Sequence, residues 1–284
     1  MKPLSDRALE RLREASELPD LSGTRFTLIR ELGRGGMGIV YLVQDSELGR
    51  EAALKIFHLD DVSPNLAARM HDEARTLAQL EHPGIVPIYE FGKLASGRLY
   101  YAMRYVQGNR LDKFLLSAAS LPERLRVFER ICEAVAFAHS RRVIHRDLKP
   151  SNIMLGSFGE VLVLDWCHVA GTPGYMAPEQ ERGEPADERS DVFALGRVLD
   201  EMIGPHAPAP LRSIVNKATA SVRYETVQQL SAEVLRFIDG AKVEAHHETL
   251  LERWQRFYNR NQALVLLATA YVIMRFAVLI FLGR

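Results

Sequence analysis

A glycine-rich stretch near the N-terminal end limits what the first part of this chain can fold into. Residues 31–45 read ELGRGGMGIVYLVQD and carry Gly33, Gly35 and Gly38. In a dinucleotide-binding fold such glycines open a helix, whereas here the apolar, β-type run 39–43 follows directly. The pattern therefore predicts a strand–turn–strand hairpin, in which residues without a Cβ let backbone amides approach phosphate groups. Taken alone, the stretch is equally compatible with a plain flexible hairpin.

Composition narrows the class of protein. The chain has 284 residues, enough for one large domain or two modest ones. Its 36 Lys and Arg balance 36 Asp and Glu, so the overall charge gives no argument for nucleic-acid binding, and we expect none. Cys132 and Cys167 show no metal-ligand spacing, which argues against a disulfide framework or a zinc site and favours a reducing compartment. We expect residues 1–25 to form an N-terminal helical extension and not a signal peptide.

The C-terminal end is strongly apolar. Residues 263–282 read ALVLLATAYVIMRFAVLIFL, and twenty helical residues extend over roughly 30 Å, the thickness of a bilayer's hydrocarbon core. We therefore expect a transmembrane helix over residues 262–283, preceded by an amphipathic juxtamembrane segment over residues 240–261. The alternative is a buried C-terminal helix of a soluble fold.

The arginines around this apolar run predict its orientation. Arg253, Arg256 and Arg260 precede the run and Arg284 follows it, which predicts a single-pass protein of the cell inner (plasma) membrane with a cytoplasmic N-terminal domain. Arg275 is the only charge within the run. An arginine there is costly, so we expect it to contact a membrane partner or a second copy of the chain, the alternative being tolerance through local thinning of the bilayer.

Charged residues recur beside the predicted strands and helices of the middle region. Lys55 lies in the apolar strand AALKIF, where a lysine needs an anionic partner, and Glu73 lies in a helical stretch. A solvated surface pair is the alternative for these two residues. The segment VIHRDLKPSNIML follows at residues 143–155, the strand 161–164 ends at Asp165, and Ala177-Pro178-Glu179 precedes the helical stretch RSDVFALG.

In this order and spacing, the motifs resemble those of the protein kinase family, and of its bacterial, membrane-anchored Ser/Thr type. The resemblance covers residues 26–239, which we interpret as a protein kinase domain. It implies an α+β, bilobal fold with a β-rich N-lobe and a helical C-lobe, to which the expected transmembrane helix is added. It also implies transfer of the γ-phosphate of Mg-ATP to a Ser or Thr hydroxyl. The implied cofactors are ATP and Mg²⁺, with Mn²⁺ as an alternative ion, and the implied partners are a protein substrate and the lipid bilayer.

The resemblance assigns a role to each matched residue. Asp147 would accept the proton of the substrate hydroxyl, Lys149 would steady the γ-phosphate, and Thr172 would tie the substrate-binding turn to both. Asn152 and Asp165 would chelate Mg²⁺. The residues that would contact ATP, or orient the lysine that does so, are Gly33, Gly35, Gly38, Val40, Lys55, Glu73, Met103, Tyr105 and Val106.

Three further residues receive structural roles from the same resemblance. Asp191 would support the catalytic loop. Glu179 and Arg223 would form a buried ion pair in the C-lobe.

Three departures from the family pattern leave the activity open. The usual Asp-Phe-Gly reads Asp165-Trp166-Cys167, and the cysteine lacks the backbone freedom of glycine. Only three residues separate Cys167 from Gly171, too few for a substrate platform, and none is a Ser or Thr that could be phosphorylated. A substrate-side helix is abbreviated around GPHAPAP at residues 204–210. The chain is therefore either an active kinase with a fixed, unregulated site, or a pseudokinase that serves as a membrane-tethered, nucleotide-binding scaffold.

Overall fold

The computed structural model describes residues 18–35, 38–57, 75, 79–166 and 171–282, except for some side chains of the last two helices. These residues fall into two compact units. The first lies within Met1–Asn109 and Met154–Cys167, and the second within Arg110–Ile153 and His168–Arg284. The predictions for Glu73, for Cys167 and for a helix at the start of the chain fall outside the described residues.

The first unit is built on a five-stranded antiparallel sheet in the order β1-β2-β3-β5-β4. Its strands are β1 (Phe26–Gly35), β2 (Gly38–Asp45), β3 (Arg50–Phe57), β4 (Ile88–Lys93) and β5 (Leu99–Arg104). The hairpin predicted from the glycine-rich stretch is confirmed, because β1 and β2 pair antiparallel on either side of it. Gly49, with φ 63°, makes the turn into β3, a left-handed conformation that glycine adopts readily.

Strand alternation gives the two faces of this sheet different roles. Leu54 and Ile56 of β3 contribute to the apolar cluster on one face, together with Tyr100 of β5. Ala53 and Phe57 contribute to the cluster on the other face. Lys55 alternates with Leu54 and Ile56, so it shares the side of Ala53 and Phe57. This face carries the residues expected to bind the nucleotide.

Three short strands form a second sheet in the order β6-β7-β8. They are β6 (Gly108–Arg110), β7 (Ile153–Gly156) and β8 (Val161–Val163). Val163 also makes an isolated parallel bridge to Ile85. The strand predicted at residues 161–164 is therefore present, and it leads directly to Asp165.

The second unit is helical. Its helices are α1 (Leu111–Phe114), α2 (Leu121–Ser140), α3 (Pro178–Glu181), α4 (Glu188–Ile203), α5 (Ala209–Ala218), α6 (Val227–Ile238), α7 (Leu250–Arg260) and α8 (Gln262–Leu282), with a 3-10 turn at Pro150–Asn152. Side chains at the N-caps fix several helix starts: Glu123 bonds back to Ser120 before α2, Asp187 accepts two backbone amides before α4, and Thr226 accepts one before α6. The buried faces of α2, α4 and α6 pack on one another and form the core of this unit.

The C-terminal segment differs from its prediction. Helices α7 and α8 lie within the regions where an amphipathic segment and a transmembrane helix were predicted. A span needs about 20 consecutive apolar residues. Among the helices of the described part of the chain, however, none is long and apolar enough to cross a membrane, so the predicted transmembrane helix is not confirmed.

Candidate active site

The glycine-rich hairpin carries glycines on both strands close to its turn. Gly35 pairs with Gly38, and Gly33 pairs with Val40. A Cβ added at Gly38 would lie 2.2 Å from the carbonyl oxygen of Ile56, so only glycine fits at this position. Among the described residues, no atom lies within 4 Å of a Cβ added at Gly33 or Gly35. The open face of these two glycines is a surface that a phosphate group can approach closely.

Lys55 is buried and paired with a carboxylate of the same unit. Its Nζ atom lies 2.7 Å from Oδ1 of Asp165, and the hydroxyl of Tyr101 donates to the same oxygen at 3.2 Å. Tyr101 is the cross-strand neighbour of Lys55 on β5, which explains why both reach Asp165. A buried ammonium group requires such a partner, because desolvation is otherwise too costly. The expected partner Glu73 lies outside the described residues, so the Lys55–Glu73 pair stays a prediction.

Asp165 is held in an unusual backbone conformation. Its φ is 59°, in the left-handed region that Asp tolerates better than most residues. The next residue, Trp166, is buried and donates from its indole nitrogen to the carbonyl oxygen of Val163 at 3.1 Å. A small cavity beside these two residues is lined by Ile85, Val86, Ile88, Tyr101 and Met103. Trp166 thus fills the place of the expected phenylalanine as a buried aromatic.

An apolar surface lies on the same side of the sheet as Lys55. Val40, Met103 and Val106, which are far apart in sequence, meet in one cluster with Met154 and Leu164. Such an apolar surface is suited to a planar ring. The side chain of Tyr105 lies apart from this cluster, since its hydroxyl accepts a hydrogen bond from Arg30 at 3.4 Å.

In the second unit, three residues surround one buried carboxylate. Asp147 is 3% exposed, and its Oδ1 accepts a hydrogen bond from the hydroxyl of Thr172 at 2.6 Å. Its Oδ2 lies 2.7 Å from Nζ of Lys149, which also donates to the Thr172 hydroxyl at 2.5 Å. Thr172 therefore contacts both of the residues to which the resemblance ties it, while its part in a reaction stays a prediction. The closed triangle fixes the orientation of a carboxylate that can accept a proton.

Asn152 joins this triangle through its amide nitrogen. The Nδ2 atom donates to the backbone carbonyl of Asp147 at 2.8 Å and to Oδ2 of Asp147 at 3.1 Å. Because both contacts use the nitrogen, the amide oxygen is the atom that a cation would bind. No group of three His, Cys, Asp or Glu side chains suited to a metal occurs among the described residues. An amide oxygen is a ligand that Mg²⁺ accepts, and this ion is seldom held by an all-protein cage.

The loop that carries Asp147 is supported from α4. Asp191 is fully buried and accepts hydrogen bonds from the backbone amides of His145 at 2.8 Å and Arg146 at 2.9 Å, which confirms its predicted role. The imidazole of His139 lies 2.8 Å from the same carboxylate. Arg146 has a φ of 70°, a conformation that costs a non-glycine residue about 1–2 kcal/mol. The hydrogen bonds to Asp191 help to maintain this strained turn.

Comparison with known proteins decides what this arrangement is. The model of the family described as "Protein kinase domain" matches residues 26–250. The chain belongs to the protein kinase family. The β-rich and the helical unit are accordingly the two lobes of the bilobal kinase fold predicted from the sequence.

Relatives of this kinase include bacterial enzymes. It is 34% identical over 294 aligned positions to the serine/threonine-protein kinase PknD of Chlamydia felis, which covers 76% of this chain and 31% of the relative. The PknD of Chlamydia muridarum is 37% identical over 230 positions, covering 63% and 24%. The kinase thus spans about a third, or less, of the length of these curated relatives. A solved structure, the PknI kinase domain of Mycobacterium tuberculosis, has a TM-score of 0.67 and 26% identity, covering 78% of this chain and 100% of that one.

The ion pair expected in the helical lobe of this kinase is present. Arg223 donates to both carboxylate oxygens of Glu179, at 2.9 and 3.1 Å, and the hydroxyl of Ser190 donates to one of them at 2.9 Å. Burial by itself would raise the pKa of Glu179, but hydrogen bonds from its own backbone amide, Arg223 and Ser190 hold it below its usual value. The pair joins the start of α4 to the segments around residues 179 and 223.

Two residues at the kinase site were not predicted from the sequence. Tyr101 reaches Asp165, and Gln180 donates through Nε2 to the carbonyl oxygen of Arg146 at 3.0 Å. Strand pairing between β3 and β5 would have indicated Tyr101, because it lies opposite Lys55. For Gln180 the signal is its place as the third residue of α3, where a glutamine side chain can cap the helix start.

Proposed function

We propose that this chain is an ATP-dependent protein serine/threonine kinase, which transfers the γ-phosphate of Mg-ATP to a Ser or Thr hydroxyl of a protein substrate. One observation carries the proposal: Asp147, Lys149, Thr172 and Asn152 form a closed hydrogen-bonded group around a buried carboxylate. A protein that no longer catalysed the transfer would not need a carboxylate, an amine, a hydroxyl and an amide in mutual contact at this place. Named kinases among the relatives support the same conclusion.

Each member of the group has a task in the proposed reaction. Asp147 accepts the proton of the substrate hydroxyl and orients its oxygen for attack. Thr172 holds one oxygen of Asp147, which leaves the carboxylate with a single orientation. Lys149 supplies a positive charge beside the carboxylate and steadies the transferred phosphoryl group.

The nucleotide is assigned to residues of the β-rich lobe. Gly33, Gly35 and Gly38 would cover its phosphates with backbone amides, and Lys55 would hold two of the phosphates. The apolar surface of Val40, Met103 and Val106 would take the adenine ring, with backbone hydrogen bonds at the segment of Tyr105 and Val106. Asp165 and Asn152 would hold Mg²⁺, with Mn²⁺ as an alternative. The bound ion neutralises charge on the phosphate oxygens.

A transfer assay tests this proposal. The full chain is incubated with Mg²⁺, [γ-³²P]ATP and a generic basic protein, beside the Asp147→Asn variant. We expect label transfer by the parent and a loss of at least a hundredfold in the variant. Nucleotide binding is followed in parallel by the shift in melting temperature. Binding without transfer in either protein would reject the kinase and favour a nucleotide-binding scaffold.

We further propose that the C-terminal helix associates this kinase with the inner membrane, its catalytic domain facing the cytoplasm. Support comes from the apolar side chains that α8 leaves exposed, among them Leu266, Leu267, Ile273 and Phe276, because large exposed apolar patches mark protein or membrane contacts. In flotation with phospholipid vesicles, we expect the full chain to float and a chain ending at Asn261 to stay at the bottom. Equal behaviour of the two would reject this placement.

Arg275 supports a related proposal about partners. It lies exposed on α8 within the apolar segment. We propose that it binds a polar group of a second copy or of another membrane-embedded segment, since such a charge is costly in lipid. The Arg275→Leu variant should then lose oligomers that the parent shows by crosslinking in vesicles. An unchanged crosslinking pattern would reject the partner.

A further inference from the structure

The peptide group between Arg146 and Asp147 is hydrogen-bonded on both sides. The amide of Asp147 donates to Nδ1 of His145 at 3.2 Å, and the carbonyl oxygen of Arg146 accepts from Nε2 of Gln180 at 3.0 Å. A peptide group is planar, so two bonds in opposite directions fix its rotation. The rotation of this peptide group determines the direction in which the side chain of Asp147 leaves the backbone.

The backbone at this point needs such support. Arg146 has a φ of 70°, which a residue with a side chain holds only where its surroundings determine it. Asp191 accepts the amide hydrogen of Arg146 at 2.9 Å and thereby holds one side of the residue. Gln180 holds the other side, through the carbonyl.

The side chain of Gln180 is itself held in place, so it can hold the carbonyl group of Arg146 in a defined position. Its Oε1 atom accepts a hydrogen bond from the backbone amide of Ala177 at 3.1 Å, at the start of α3. Gly171 lies close against this contact. A Cβ there would lie 3.0 Å from the carbonyl oxygen of Arg146 and 3.5 Å from Nε2 of Gln180. One amide therefore connects the catalytic loop to the segment that carries Thr172.

We propose that Gln180 is a positioning residue for the reaction: it fixes the peptide group before Asp147 and so aims the carboxylate at the substrate hydroxyl. The inference rests on the proposed kinase function. The contact uses only side-chain and backbone atoms of the chain, so it is made without any added phosphate. Misplacement of a reacting group by about 1 Å lowers a rate by about a hundredfold, so losing this support should reduce the chemical step.

Two variants separate the donor from the acceptor of Gln180. Gln180→Met keeps the length of the side chain and removes both hydrogen bonds, whereas Gln180→Glu keeps an acceptor for Ala177 and loses the donor to Arg146. Gln229→Met is a matched control, because Gln229 also accepts a backbone amide beside a helix start, that of Glu225 at 3.0 Å. All three are made in the full chain, and folding is checked by thermal unfolding.

Steady-state kinetics and amide hydrogen exchange provide the readouts. We expect kcat to fall about tenfold or more in both Gln180 variants, with KM for ATP within about twofold of the parent. Exchange of the amides at residues 145–148 should become faster in both variants and remain unchanged in the control. If Gln180 only capped α3 and stabilised the fold, its loss would not lower kcat while leaving KM for ATP unchanged.

Other outcomes overturn the inference. The inference fails if Gln180→Met folds and its kcat stays within about twofold of the parent. It also fails if Gln180→Glu keeps the kcat of the parent, because the hydrogen bond to Ala177 would then be sufficient. Where Gln180→Met does not fold, Gln180→Glu decides, because it retains the cap. If the parent transfers no phosphate, the proposed function fails, and unchanged exchange at residues 145–148 in the variants would separately reject the positioning role.

Discussion

At the scale of one residue, the packing of the hairpin allows only glycine at position 38. A Cβ at this position would collide with the backbone of Ile56 on the neighbouring strand, at 2.2 Å from its carbonyl oxygen, and a backbone cannot move aside as a side chain can. We expect Gly38→Ala to lower the free energy of unfolding by about 1–3 kcal/mol, as overpacking does. Gly35→Ala meets no atom of the described part of the chain within 4 Å and should change this free energy by less than about 0.5 kcal/mol. If urea unfolding showed equal losses of stability for Gly38→Ala and Gly35→Ala, this prediction would be wrong.

Thr172 carries a second prediction at this scale. Its hydroxyl donates to Asp147 and accepts from Lys149, so it orients both side chains at once. Thr172→Val keeps the shape of the residue without the hydroxyl, and we expect kcat to fall at least tenfold with KM for ATP nearly unchanged. Thr172→Ser restores the hydroxyl and should recover most of the rate. A serine variant as slow as the valine variant would show that the methyl group matters more than the hydrogen bonds.

At the scale of elements, the ion pair of Glu179 and Arg223 connects α3 and α4 to the segment before α6. Arg223 is 8% exposed and also donates to the backbone carbonyl of Arg189 at 3.2 Å. Removing one partner of a largely buried pair leaves the other charge without compensation, which costs about 3–5 kcal/mol. We expect Arg223→Met to lower stability by about 3 kcal/mol at pH 7, measured by urea unfolding. A double variant, Glu179→Leu with Arg223→Met, should regain part of this loss.

The same pair predicts how this loss depends on pH. The pKa of Glu179 is lower in the folded chain than in the unfolded one. Burial raises it, but the hydrogen bond from its own backbone amide, together with those from Arg223 and Ser190 and the charge of Arg223, outweighs the burial. A carboxylate of this kind stabilises the fold above its unfolded pKa of about 4.3, and the contribution disappears as the pH falls through the folded pKa. The stability difference between parent and Arg223→Met should therefore shrink as the pH falls from 6 to 3. A constant difference over this range would count against the electrostatic origin.

The contacts between elements show which parts of the site could be predicted from the sequence alone. The short motifs were enough to predict three sets of contacts: Thr172 with Asp147 and Lys149, Glu179 with Arg223, and Asp191 with the loop that carries Asp147. The catalytic roles of the first set stay predictions. Gln180 and Tyr101 were missed, because each acts by directing a side chain at a residue 34 and 64 positions away. Such contacts depend on where a helix start or a strand neighbour lies in space. Lys55 is intermediate: its burial was predictable, and its contact with Asp165 was not.

At the scale of the whole molecule, only three residues of the sequence separate Cys167 from Gly171, next to the group that we propose to be catalytic. Residues 167–170 are Cys-His-Val-Ala, without a hydroxyl to phosphorylate. The segment that follows is fixed by other means: Arg197 donates to the carbonyl of Gly174 at 3.1 Å, and Tyr175 donates to the carboxylate of Glu201. Burial and this acceptor both raise the pKa of Tyr175, so its hydroxyl keeps its proton at physiological pH.

Full activity should therefore not require phosphorylation of this segment. Where a phosphate orders such a segment, it does so by creating new charge-assisted hydrogen bonds. Here Gly174 and Tyr175 already have partners within the chain. We expect the phosphatase-treated chain to phosphorylate a generic basic substrate without a lag, at a rate within about twofold of the same chain pre-incubated with Mg-ATP. Tyr175→Phe removes the contact with Glu201 and tests whether that contact helps to hold the segment, with Tyr271→Phe on α8 as a control. A lag that pre-incubation abolishes would show that activation by phosphorylation occurs after all.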